Sequence, residues 1–126
     1  MAIIFRLVRD GREYSPYRGQ WFARAVNLGT VETDALATII ERNCSMKRSD
    51  VLAVLTELGE VIRQQLASSH RVRLTGIGSF MAGIDNRCGC QDPQHFDPDN
   101  VKALHICFKP ERDLLPADTG VMPLPD

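Results

Sequence analysis

The stretch Arg71-Val72-Arg73-Leu74-Thr75-Gly76-Ile77-Gly78-Ser79-Phe80 closes the segment that decides the fold, residues 31–80. Its alternation predicts a strand with Val72 and Leu74 on one face and Arg71, Arg73 and Thr75 on the other. Gly76 and Gly78 permit a bulge or sharp bend, after which Phe80 returns to the Leu74 face. Ahead of the strand lie two helical patterns. Leu36, Ile39 and Ile40 share a face at i, i+3, i+4 spacing and predict a helix over 33–43, with Thr33 as candidate N-cap. Cys44-Ser45-Met46-Lys47 is the turn. Val51, Leu55, Leu58, Ile62 and Leu66 then predict a long helix over 48–68. Leu52, Val54 and Val61 widen its apolar stripe past that of a simple surface helix. Two readings stand for so wide a stripe: one well-buried helix, or a helix that also meets a partner. A small helical base leading into an arginine-studded strand is a reasonable nucleic-acid platform.

Before this segment, Ile3–Arg9 and Trp21–Val26 read as short strands, separated by the turn signals Asp10-Gly11, Ser15-Pro16 and Arg18-Gly19. They predict an N-terminal β-hairpin, 1–28, with a loop of about ten residues, which must dock, extend a sheet or pair with another chain because a lone hairpin is marginal in water. After it, residues 81–100 carry Gly83, Gly89, Pro93 and Pro98 and read as loop or frayed ribbon. Val101–Lys109 reads as a strand with Leu104, Ile106 and Phe108 inward and Ala103, His105, Cys107 and Lys109 outward. Glu111–Leu115 allows one helical turn before Pro116. The tail, 116–126, has three prolines and no pattern, and is expected to be disordered.

The chain has 126 residues, 44% apolar and 25% charged, which suits one globular domain with an appendage. The net charge of −1 hides an asymmetry. Residues 1–28 hold five arginines and two acidic residues, whereas residues 81–126 hold four basic and eight acidic ones. No run approaches the roughly 20 apolar residues of a membrane helix. Arg6 and Arg9 interrupt the start, which lacks a secretory apolar core. A cytoplasmic location is expected, where disulfides among the four cysteines are disfavoured.

The order helix, turn, helix, strand, arm, strand carries Met46-Lys47-Arg48-Ser49-Asp50-Val51, Val72-Arg73-Leu74-Thr75-Gly76-Ile77-Gly78-Ser79-Phe80 and Phe108-Lys109-Pro110 at fixed places. Each piece is weak alone; in this order they are fairly specific. Over about residues 21–115 the sequence resembles the HU/IHF family of bacterial histone-like DNA-binding proteins. It is most similar to an HU-related branch with an added N-terminal segment, in which a stretch like Trp21-Phe22-Ala23-Arg24-Ala25-Val26-Asn27-Leu28-Gly29-Thr30-Val31 leads into the first helix. The resemblance implies an α+β, IHF-like domain over 29–115, with its arm at 81–100, forming an intertwined dimer. Its helices would be the base, its sheets a saddle, and its β-ribbon arms would reach around the minor groove, a mode known for HU and IHF.

Arg71, Arg73 and Lys109 share the outer sheet face. With Arg112, and with Arg87 and Lys102 around the arm, they are the candidate contacts to duplex DNA phosphates, the sequence-independent part of binding. The bland alternative is a solvated strand face. The hairpin arginines Arg6, Arg9, Arg12, Arg18 and Arg24 are a second basic source, or simply solubilising. Family arms are basic; here 81–100 holds Arg87 against Asp85, Asp92, Asp97 and Asp99, and Pro93 lacks the family's Asn-Pro context. Lys47 stands where the family has a capping Ser.

Two functions follow: a nucleoid-associated, weakly selective duplex DNA binder, or an HU-fold module that has lost DNA binding and recognises protein through the hairpin edge or acidic arm. Cys88-Gly89-Cys90 with His95 is too tight for the usual zinc spacing, though a metal, a redox disulfide and incidental loop cysteines all remain readings. No nucleophile elbow, P-loop or dinucleotide fingerprint is present, so no enzyme and no cofactor are expected. Trp21 and Phe22 either anchor the hairpin or stack on bases.

Overall fold

The computed structural model describes residues 1–125 and separates into two compact units. One comprises Met1–Glu32 with the chain from Leu115 onward; the other is Thr33–Leu114.

In the second unit, helix α1 spans Thr33–Asn43 and α2 spans Arg48–Ala67. Asp34 in the first turn of α1 suits the helix dipole and also meets Arg48 at the start of α2, 3.4 Å away. Lys47 is the N-cap of α2 but supplies no capping hydrogen bond, so Asp50 in the first turn is the nearest compensation. The end of α2 is closed more fully. Ser69 adopts the left-handed conformation (φ 65°), the Ser69 amide donates to Leu66 O and the His70 amide to Gln65 O at 3.0 Å. This paired closure normally uses glycine. It turns the chain directly into Arg71.

Strand β3 is Val72–Leu74, β4 is Gly78–Asn86 and β5 is Val101–Pro110. They form an antiparallel sheet in the order β3-β4-β5. The single strand expected over 71–80 is therefore two strands around a tight turn. Ile77 N–H donates to Leu74 O at 3.0 Å, with Gly76 at φ 85°, the third-position geometry that a type II turn reserves for glycine. The arm is also more regular than loop: β4 runs to Asn86, and β4 and β5 make a long ribbon with a bulge after Asp85.

Among the described residues only Ala37 (0% exposed) and Val51 (4%) are buried apolar ones. Val72, Phe80, Phe108, Ile106, Leu104 and Ile84 fall on one sheet face by register, and the Phe80 and Phe108 rings lie 4.9 Å apart. Yet Leu104 is 74% exposed, and Leu36, Ile39, Val54 and Val61 on the helices are also exposed. Leaving this much aliphatic surface wet forgoes roughly 1.5–3 kcal/mol per large side chain.

In the first unit, β1 (Ala2–Arg9) pairs antiparallel with β2 (Trp21–Ala25). The tail expected to be disordered instead contributes β6, Gly120–Pro123, which pairs parallel with β1 through Ala2↔Gly120 and Ile4↔Met122. Pro123 is tolerated because β6 is an edge strand. The hairpin is thus part of a three-stranded sheet, and residues 111–115 make a turn rather than a helical turn. Among the described residues no helix is long and apolar enough to cross a membrane.

Candidate nucleic-acid interface

Register builds the site. Arg73 lies opposite Ser79, and Ser79 lies opposite Lys109, so the three form one row across β3, β4 and β5. Directly opposed residues in a sheet present their side chains to the same face. Ser79, the only buried polar residue among those described, is the small central member, which leaves the two cations flanking a low saddle. Arg71 stands two residues before Arg73 and so returns to that face. Arg71, Arg73, Ser79 and Lys109 border an open groove of about 370 Å³ together with Pro110 and Glu111.

The backbone under this row has no slack. A Cβ on Gly78 would lie 2.6 Å from Lys109 O and 2.7 Å from the Phe108 ring, so only glycine lets β4 approach β5 here. Glu111 N–H donates to Ile77 O at 2.9 Å, tying the end of β5 to the β3–β4 turn. The same residue's carboxylate accepts from Arg73 Nε at 3.1 Å. One of the three cations thus carries a built-in competitor for an incoming anion.

The other predicted contacts lie elsewhere. Arg112 is exposed in the turn after β5 and does not border the groove. Arg87 follows β4 at the far end of the ribbon, and its amide donates to Asn100 O at 2.7 Å. Lys102 is the extra residue of the bulge, between Val101 (opposite Asn86) and Ala103 (opposite Asp85). Seven residue steps along β4 separate the Ser79 row from Asn86, roughly 20 Å at strand rise. The six cations are therefore a compact basal set of three, Arg112 in the turn after β5, and a distal pair.

The loop beyond Asn86 gives its aspartates work. Asp92 accepts from the Gln94 amide at 3.0 Å and Asp97 from the Asp99 amide at 3.0 Å, each capping a 3-10 turn, Pro93–His95 and Pro98–Asn100. His95 Nδ1 meets the second Asp92 oxygen at 2.9 Å, and His105 Nδ1 lies 3.2 Å from Asp85. Cys90 Sγ approaches the Asp92 carbonyl at 3.1 Å, while Cys88 lies nearer Asn100. Among the described residues no three of His, Cys, Asp and Glu are grouped to hold a metal. The signal for the caps was present in the sequence: Asp92-Pro93 and Asp97-Pro98 repeat an N-cap residue followed by proline at the first helical position.

Comparison with known proteins agrees with this architecture. A family profile of HU domains fused to a wHTH, Ig or glycine-rich motif, HU-HIG, matches residues 1–119. The chain belongs to the HU-HIG family. The match takes in the N-terminal sheet strands β1 and β2 as well as the helices and ribbon, so the added segment is part of the HU-HIG unit. A solved structure of a candidate bacterial DNA-binding protein from Bacteroides vulgatus has the same fold, with a TM-score of 0.70 at 16% identity. The alignment covers 98% of this chain and 48% of that one, so this HU-HIG chain spans about half the length of that protein. No curated protein matches the sequence.

Proposed function

We propose that this HU-HIG chain binds duplex DNA with low sequence specificity, as a nucleoid-associated architectural protein. The observation that carries the reading is the Arg73–Ser79–Lys109 row with Arg71 beside it: three cations on one exposed sheet face around a small buried residue. Such a face offers phosphates charge-assisted hydrogen bonds and offers base edges nothing. Arg112, exposed in the turn after β5, and Arg87 and Lys102, along the ribbon, make separate contacts. Binding, not catalysis, is what these groups support.

The working form is a homodimer. The exposed Leu36, Ile39, Val54 and Val61 of α1 and α2, and Leu104, Ile106 and Phe108 of the ribbon, need a cover that a second copy supplies. Doubling the chain doubles the basal row. Sedimentation at micromolar concentration is expected to give twice 14.1 kDa; a species at 14.1 kDa alone contradicts the dimer.

Titration on mixed-sequence duplex DNA at two salt concentrations tests the DNA reading. Affinity that rises steeply as salt falls supports it, and no complex at low salt overturns it. The second reading, a protein-recognition module using the hairpin edge or the acidic arm, is favoured by the exposed Asp85 and Asp99 lying near the ribbon tip. It requires that the edge or arm, and not the basal row, govern binding.

A further inference from the structure

The N-terminal sheet carries a charge arrangement that its own fold does not answer. Arg6 on β1 is the direct cross-strand partner of Arg24 on β2. Both are exposed and share one face. Like charges in that register repel. Among the described residues, neither has an ion-pair partner. Arg12 differs: it forms two side-chain hydrogen bonds to Asp10, and these hold the Asp10 carboxyl well below the usual carboxylate range. Protection of an exposed edge accounts for a cation on β2. It does not account for Arg6, because the order β2-β1-β6 places β1 in the centre.

The next row on the same face is Val8 opposite Phe22. Phe22 is 46% exposed, and Tyr17, 53% exposed, meets it edge-on at 5.9 Å between ring centroids. Tyr17, Phe22, Arg24, Arg9 and Arg12 border an open cleft of about 550 Å³. Two guanidiniums thus sit one same-face step, about 7 Å, from an aromatic pair.

We propose that this face is a binding surface for single-stranded nucleic acid. Arg6 and Arg24 hold the backbone phosphates, which removes their mutual repulsion, and Phe22 with Tyr17 receives an unpaired base by stacking. In a duplex the bases are already stacked, so the aromatic row has nothing to accept. An acidic peptide would satisfy the arginines but leave the rings unused. The surface is distinct from the Arg71–Arg73–Lys109 row and does not depend on the duplex reading.

The test is fluorescence anisotropy of the full chain with two probes, a labelled oligothymidine of about 12 nucleotides and a mixed-sequence duplex. In Arg6→Gln/Arg24→Gln, oligothymidine affinity is expected to fall about tenfold and duplex affinity less than about twofold. Phe22→Ala is expected to weaken oligothymidine binding about tenfold. Arg71→Ala/Arg73→Ala should give the inverse pattern, and a failure there overturns the duplex reading alone. Three results overturn the present proposal: wild-type oligothymidine affinity in the Arg6/Arg24 variant, equal losses for both probes, or no oligothymidine binding by the wild type at low salt. Because the double substitution removes a repulsion, its melting temperature should not drop. Should it drop, Arg24→Glu places a carboxylate opposite Arg6, steadies the sheet and must still abolish oligothymidine binding.

Discussion

The two ends of the β4–β5 ribbon use charge in opposite ways. At the base, Arg71, Arg73 and Lys109 flank the buried Ser79, and only Arg73 is engaged, by Glu111. At the tip, Asp92 and Asp97 are turned onto backbone amides and cap two 3-10 turns. The basal charges are held by register and left open to a ligand; these two distal charges are consumed by the loop's own folding. A count of charges makes the arm look hostile to DNA, but position decides. The separation of roughly 20 Å is about twice the Debye length near physiological salt, so the tip carboxylates barely reach the basal row.

The comparison breaks most easily at Gly78. Gly78→Val places a side chain against Lys109 O and the Phe108 ring, and should cost about 2–3 kcal/mol in urea unfolding while splaying the basal row. Unchanged stability would mean that β4 and β5 can part without loss. At the tip, Asp92→Ala should weaken the cap by about 1 kcal/mol, read as faster amide exchange at Gln94. Duplex affinity should stay within about twofold, since the site is screened from the row. A large gain on that substitution would restore the repulsive view of the arm. Glu111→Gln sharpens the other side: freeing Arg73 from a pair worth at most about 1 kcal/mol should raise duplex affinity about threefold. The smallest effect is expected at Ser69→Gly, which relieves a left-handed serine and should stabilise by about 0.5–1 kcal/mol in thermal melts without altering binding.

The helices were legible because 3.6-residue periodicity is local: Thr33–Asn43 is the span its apolar spacing predicts, and α2 differs from its prediction only at the last residue. The outward face shared by Arg71, Arg73 and Lys109 followed from alternation. The β3–β4 hairpin did not, because a three-residue turn preserves the inward parity of Val72, Leu74 and Phe80, and the glycines read equally well as a bulge. The tip turns were missed because its aspartates were weighed as charges and not as caps. The pairing of Val121 and Met122 with Ile3 and Ile4 was beyond local reading altogether: it joins segments more than a hundred residues apart, and Val121-Met122, held between Gly120 and Pro123, is too short to show a periodic pattern. The separation of Arg87 and Lys102 from the basal set was hidden for a related reason, since it depends on how far β4 continues past Phe80.

The central claim is that the basal row makes the phosphate contacts. Its most direct test is the slope of log affinity for duplex DNA against log salt concentration, measured for the wild type and for Arg71→Ala/Arg73→Ala. Each lost phosphate contact lowers the slope by about one. The account predicts a slope shallower by about two for each chain's worth of row. An unchanged slope in a correctly folded variant would contradict it.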